Sequence, residues 1–146
     1  NGVVVKEDFK AAHDLFDKSC SLGSVEGCTN LGTVYQNGEG VERDYTKAFK
    51  LFNTSCSFHD SLACANLGIM YTFGQGISPN LKKAREYFDI SCKGKNAVGC
   101  NLLGYIYKDS MGVKQDLKLA LKSFKLACQL GNNDGCKNQN LLDKKK

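Results

Sequence analysis

The segment Cys20–Cys28, with the sequence CSLGSVEGC, recurs three times along the chain at a constant interval. Its counterparts are CSFHDSLAC at Cys56–Cys64, CKGKNAVGC at Cys92–Cys100 and CQLGNNDGC at Cys128–Cys136. Corresponding cysteines are 36 residues apart without any gap, and all 8 cysteines belong to the pattern. Self-similarity at a fixed period of this size is typical of a repeat array.

Each unit of 36 residues contains two predicted helices. In the first, apolar residues recur at i, i+3, i+7 and i+11, as in Phe9, Ala12, Phe16 and Cys20, which places them on one stripe of a helix. Residues suited to cap a helix N-terminus precede this helix in every unit. They are Asp8, Asp44, Asn80 and Asp116. A second set of caps precedes the second helix: Ser24, Asp60, Asn96 and Asn132.

This register predicts a single repeat domain over residues 1–146, in which the four repeats are 8–43, 44–79, 80–115 and 116–146. Residues 1–7 resemble the loop that closes a repeat, and we interpret them as the remnant of a preceding one. In the third such loop Ser110 replaces a glycine, which predicts a different turn. The last repeat is polar where the others have Leu, Gly and Tyr, so residues 134–146 are expected to form a capping helix and tail.

The cysteine pattern predicts four disulfides. An even number of cysteines at regular spacing favours an oxidising compartment. The first cysteine of each segment ends one helix and the second begins the next, so antiparallel packing brings the two within bonding distance. The favoured pairs are therefore Cys20–Cys28, Cys56–Cys64, Cys92–Cys100 and Cys128–Cys136. The C-x7-C spacing differs from that of zinc knuckles, and redox enzymes usually have one C-x-x-C pair, so we expect no metal and no cofactor.

Charge and hydropathy exclude two classes of partner. The net charge is +5, but the basic residues are interspersed among 15 acidic ones, and only Lys144–Lys146 form a run. No nucleic-acid-binding motif is recognisable, and no apolar run approaches the ~20 residues that span a bilayer. We therefore expect neither nucleic acid nor membrane as a partner. We also expect the chain to be a monomer.

Two columns of the repeat are candidates for peptide binding. An asparagine recurs directly before the Leu-Gly pair of the second helix, and its carboxamide can both donate to and accept from a peptide backbone. A column on the first helix changes from repeat to repeat and would add selectivity. The candidate residues are Asn30, Asn66, Asn138, His13, Phe49 and Arg85. The alternatives are that the amides bond to the adjacent loop, and that solvated columns vary because nothing constrains them.

The combined pattern resembles a known family. A-x3-F-x3-C, then C-x2-L-G-x2-Y, then G-x-G-V, at a period of 36 residues, resembles the SEL-one-like repeat (SLR) family over residues 8–136. The C-x7-C segment in every repeat is similar to the cysteine-rich Hcp branch of Helicobacter. The resemblance implies an all-α fold, a right-handed α-solenoid of helix-turn-helix repeats, and a scaffold for protein partners.

The resemblance also implies two functions. The leading interpretation is a secreted or periplasmic, host-interacting scaffold that binds a protein or extended peptide in its concave groove. The alternative is a penicillin-binding or weakly β-lactamase-like protein, since Hcp members are so described. A serine β-lactamase needs S-x-x-K and K-T-G, and the chain contains neither, so no catalytic residue is assigned. A second disulfide-rich SLR lineage makes the mitochondrial intermembrane space an alternative location.

Overall fold

The computed structural model describes residues 2–144, with side chains from residue 6 onward, and this part of the chain forms eight α-helices and no strand. The helices are α1 (Gly2–Ser21), α2 (Val25–Asn37), α3 (Tyr45–Ser57), α4 (Ser61–Phe73), α5 (Leu81–Lys93), α6 (Ala97–Lys108), α7 (Leu117–Gln129) and α8 (Asn133–Asp143). Odd-numbered helices are the first of each repeat and even-numbered helices the second. The predicted all-α fold is therefore confirmed.

Helix boundaries follow the predicted caps in seven of these helices, α2 to α8. In each, the side-chain oxygen of the cap residue accepts a hydrogen bond from the backbone N–H three residues later, as Asp44 does from Lys47 at 2.9 Å. After the first helix of each repeat the chain reverses through one left-handed residue. That residue is a glycine in two repeats, but His59 (φ 65°) and Lys95 (φ 61°) adopt the same conformation in the others.

The N-terminus differs from the prediction. Helix α1 already begins at Gly2, so residues 2–7 are helical instead of a loop remnant, and Asp8 lies inside the helix instead of capping it. In the later loops the column of Val4 is occupied by Gly40, Gly76 and Gly112, all with φ between 69° and 74°. A β-branched valine disfavours that left-handed conformation, and the backbone continues as a helix.

The third loop keeps the turn of the others, so the expectation of a different turn there is wrong. Ser110 has φ 57°, close to the 67° of Gly74 in the preceding loop. The N–H of Met111 donates to the carbonyl of Ile106, as that of Gln75 does to Met70 one repeat earlier. A serine in the left-handed region costs about 1–3 kcal/mol, and the turn is kept in spite of that cost.

Each helix packs against the next one along the chain, and α4–α6 and α6–α8 are also in contact, which is the contact pattern of a solenoid. A buried phenylalanine from each later repeat packs against a glycine on the second helix of the preceding one. A Cβ added to Gly68 would lie 2.5 Å from the ring of Phe88, and one added to Gly32 would lie 2.7 Å from that of Phe52. The repeated glycines therefore make room for the repeated phenylalanines.

All four local disulfides are present: Cys20–Cys28, Cys56–Cys64, Cys92–Cys100 and Cys128–Cys136, with Cα atoms 4.4–4.9 Å apart. Each joins the end of a first helix to the start of the second helix of the same repeat. The capping segment begins with α8, where Asn140 and Asp143 are exposed and Leu142 is buried. Of the expected tail, residues 145 and 146 lie outside the described residues.

Candidate functional site

One tyrosine from each of α2, α4 and α6 occupies the same position of its repeat, and the first two of them contact the first helices of their own and the next repeat. These residues, Tyr35, Tyr71 and Tyr107, share one register and are here called the tyrosine row. Each follows a buried leucine and the glycine that admits the next repeat's phenylalanine. The packing of the core therefore fixes where the three rings lie.

Tyr35 is contacted from both sides. His13 of α1 meets the ring edge-on with centroids 5.6 Å apart, and its Nε2 lies 3.3 Å from the tyrosine hydroxyl. Lys47 of α3 places its Nζ 4.8 Å from the centroid of the same ring, where the ring quadrupole attracts a cation. A histidine, a phenol and an ammonium group thus meet between the first two repeats.

Tyr71 has an equivalent but more aromatic environment. Phe49 of α3 meets it edge-on at 5.9 Å, and Tyr87 of α5 stacks on it at 5.5 Å with nearly parallel rings. Lys83 places its Nζ 5.2 Å from the Tyr71 centroid. Burial is the main reason that the pKa of Tyr87 is raised above 10.0; the charges of Tyr71 and Glu86 raise it further, and Lys83 opposes the change. Its phenol is therefore neutral at physiological pH.

Tyr107 borders a cavity of about 240 Å³ between α5, α6 and α7. The cavity is lined by Asp89, Cys92, Lys93, Leu103, Tyr107, Leu119, Lys122, Ser123 and Leu126. At its rim Lys93 Nζ lies 2.6 Å from a carboxylate oxygen of Asp89, and this hydrogen bond is the main reason that the pKa of Lys93 is raised. The end of the tyrosine row is thus an apolar cavity with a charged rim.

The structure brings together part of the predicted site. His13 and Phe49 both contact the tyrosine row. Arg85 occupies the same register in the third repeat, and its Nε is buried without a hydrogen-bond partner in the described part of the chain. Nearly all buried polar groups are hydrogen-bonded, so this Nε is an exception within the described structure.

The asparagine column lies elsewhere. Asn138 Nδ2 donates to Asn101 Oδ1 (3.1 Å) and to the Tyr105 hydroxyl (2.9 Å), both on α6. Asn30 and Asn66 are half-buried, and within residues 2–144 their side chains have no hydrogen bond, to the loop backbone or to anything else. Each precedes a row tyrosine by five residues, which turns it about 140° around the helix from that tyrosine. The two predicted columns therefore do not share one surface.

Sequence reasoning missed the lysines over the tyrosine rings and the cavity beside Tyr107. The signal for the cavity is one column of the repeat, Leu15, Leu51, Tyr87 and Ser123, in which the last member is small. In the part of the chain that is described, no cluster of three or more His, Cys, Asp or Glu side chains could bind a metal ion. None of the described helices is both long and apolar enough to cross a bilayer.

The repeats and their geometry define the class of protein. The Sel1 repeat family model matches residues 1–24, 25–57, 61–96 and 97–132, nearly the whole chain, and the chain belongs to this family. The matched segments from residue 25 onward each begin with the second helix of one repeat and include the first helix of the next. A search of curated proteins found no match.

Several solved structures also resemble this chain in fold and in sequence. Cysteine rich protein B of Helicobacter pylori is 31% identical with a TM-score of 0.71, and the match covers 94% of this chain and 98% of that protein. The protective antigen c5321 of uropathogenic Escherichia coli, which displays an SLR fold, is 28% identical with a TM-score of 0.80 over 89% of this chain. A Sel1 repeat protein of Oxalobacter formigenes is 24% identical with a TM-score of 0.80 over 95% of this chain. The chain spans only 28% and 54% of the lengths of the latter two proteins.

Proposed function

We propose that this chain is a disulfide-bonded module of a secreted or periplasmic protein, and that it binds an extended segment of a partner protein along the tyrosine row. The observation that supports this most strongly is the contrast between frame and surface. The tyrosines recur at one register, whereas one column of the first helix changes from His13 to Phe49 to Arg85. A constant frame with a changing surface is how a repeat array can acquire a specific ligand.

The chemistry of the row suits a peptide with aromatic or apolar side chains and with carboxylates. Tyrosine and arginine, together with tryptophan, are enriched at the energetic centres of protein interfaces, and of the row Tyr35 and Tyr107 are half-buried and Tyr71 is buried. Lys47 and Lys83 add positive charge directly over two of the rings. Arg85 adds a further positive charge, which has no ion pair within the described residues. Together these groups favour a partner segment of net negative charge.

Two further observations support export. Four disulfides in 146 residues are typical of proteins that fold in an oxidising compartment. The similar Escherichia coli protein is described as a protective antigen of uropathogenic strains, which supports a role for this chain where host and bacterium meet. Since no contact in the described structure favours β-lactam binding, the proposal does not extend to it.

A peptide selected from a displayed library against the oxidised chain provides the test. Its dissociation constant should rise at least about fivefold in His13→Ala or Phe49→Ala, because each removes a contact with a row tyrosine and an energetically important interface side chain contributes more than about 1 kcal/mol. Asn30→Ala and Asn66→Ala are matched controls on the other side of α2 and α4, and they should leave the affinity unchanged. If instead Asn30→Ala and Asn66→Ala lower the affinity while His13→Ala and Phe49→Ala do not, the binding site lies at the asparagine column.

A further inference from the structure

The cavity beside Tyr107 exists because one position of the repeat is small. In the third repeat that position is Tyr87, whose ring stacks on Tyr71 at 5.5 Å. In the fourth repeat it is Ser123, which is buried and donates its hydroxyl hydrogen to the carbonyl of Leu119 on its own helix at 2.9 Å. The ring that packs on the tyrosine row in one repeat is therefore absent from the next, and the cavity of about 240 Å³ lies in its place.

The walls of the cavity are apolar. Among its lining residues Leu103 and the Cys92 half of a disulfide are buried, and Leu119 and Leu126 are partly exposed. Its volume lies below the roughly 300–1,000 Å³ of pockets for drug-sized ligands. The cavity therefore fits one side chain, and the stacking of Tyr87 on Tyr71 shows within this chain that an aromatic ring suits the place.

The rim gives the cavity a charge preference. Asp89 is paired with Lys93, whereas Lys122 has no ion pair among the residues described. At the preceding interface the residue equivalent to Lys122 is Glu86. The fourth repeat thus replaces an acidic rim residue by a basic one at the same point where it replaces an aromatic side chain by a serine.

We propose that this cavity is a specificity subsite that takes one aromatic side chain of the partner segment, with a carboxylate of the same segment beside Lys122. The ring would pack on Tyr107 as Tyr87 packs on Tyr71. The carboxylate would lie at the exposed rim, where a lysine without an ion pair can approach it. The subsite rests on the proposed function in so far as its ligand is a segment of a partner protein.

Small probes test the subsite without any knowledge of the partner. N-acetyl-L-phenylalanine, which is a carboxylate at neutral pH, should bind with a dissociation constant on the order of 1 mM, as expected for a ligand of its size. Nuclear magnetic resonance should show the methyl groups of Leu103, Leu119 and Leu126 shifting on titration. The neutral N-acetyl-L-phenylalaninamide should bind several-fold more weakly, and N-acetyl-L-alanine should not bind measurably.

Two variants separate the subsite from a general apolar surface. Ser123→Tyr copies the third repeat into the fourth and should weaken binding of N-acetyl-L-phenylalanine at least tenfold while the chain stays folded. Tyr87→Ser should open the equivalent cavity beside Tyr71, where Glu86 and the Lys83 ammonium, 5.2 Å from the Tyr71 centroid, carry opposite charges and should leave little preference between the acid and the amide. Lys122→Gln, an exposed change that folding tolerates, should abolish the preference for the acid over the amide.

The outcomes distinguish this subsite from the function proposed above. Unchanged probe affinity in folded Ser123→Tyr, or shifts that map away from Tyr107, would overturn the subsite. If a selected peptide still loses affinity in His13→Ala, the proposed function stands without it. If the probes behave as expected but no peptide binds along the row, the subsite stands and the proposed function fails.

Discussion

Removal of the internal disulfide Cys56–Cys64 should destabilise the chain more than removal of the terminal one, Cys128–Cys136. Both bridges have a sequence separation of 8 residues, so the chain-entropy model assigns each about 2.5 kcal/mol. The burial of the cysteines differs, because Cys64 is fully buried and Cys56 is 8% exposed, whereas Cys128 and Cys136 are only half-buried.

Replacing both internal cysteines by alanine also removes two buried sulfurs, which adds about 1–2 kcal/mol, since a buried methylene is worth about 0.8 kcal/mol. The double variant Cys56→Ala/Cys64→Ala should therefore lose about 4 kcal/mol of unfolding free energy. Its melting temperature should fall by roughly 8–16 °C for a chain of this size. The terminal double variant should lose about 3 kcal/mol, because less buried surface is lost.

Urea unfolding of the oxidised proteins, followed by far-ultraviolet circular dichroism, measures both losses. The unmodified chain and the two double variants should have transitions that differ in midpoint, and their free energies then compare directly. An internal variant as stable as the unmodified chain would show that the bridge contributes nothing. A terminal variant that loses more than the internal one would refute the argument from burial.

Three other changes test the packing, the contacts between repeats and the buried phenol. Gly68→Ala places a Cβ 2.5 Å from the Phe88 ring, and overpacking of about 1–3 kcal/mol should outweigh the ~1 kcal/mol gain in helix propensity; a higher melting temperature would contradict this. Ser91→Ala removes a 2.6 Å hydrogen bond to a carbonyl of the preceding repeat and should cost about 1 kcal/mol in urea unfolding, while the exposed Ser57→Ala should cost nothing measurable. Because the pKa of Tyr87 is raised in the fold, its stabilising contribution is complete below pH 10.0 and should decline as pH rises through the folded pKa. In urea unfolding, the unfolding free energy of Tyr87→Phe should fall less over this pH range than that of the unmodified chain. Identical pH profiles for the two chains would contradict this expectation.

Most of the fold could be predicted because it depends on local signals repeated four times. Seven helix starts follow cap residues that act within three positions of themselves, and the disulfides join neighbouring helices. The failures come from single replacements within that pattern. Val4 stands in a column that needs a left-handed glycine, so the segment predicted as a loop remnant is helical from Gly2 onward. Ser110 adopts the left-handed turn although it is not glycine.

The candidate site was harder to predict, because side-chain contacts between repeats determine it. The register places His13 and Phe49 in one column, but it does not show that both would contact a tyrosine of the second helix. The asparagine column looked equally suitable, yet Asn138 is bonded to α6. The cavity results from the absence of a ring at Ser123, and a missing ring becomes visible only when the packing around Tyr87 is known.

The most direct test of the proposed function is to map the contact surface of a bound peptide by amide and methyl chemical shifts in the oxidised chain. A peptide selected from a displayed library should perturb residues along the tyrosine row, centred on Tyr35 and Tyr71, and on the faces of α1, α3 and α5 that border them. Perturbations centred on Asn30 and Asn66, with the tyrosine row unaffected, would contradict the account.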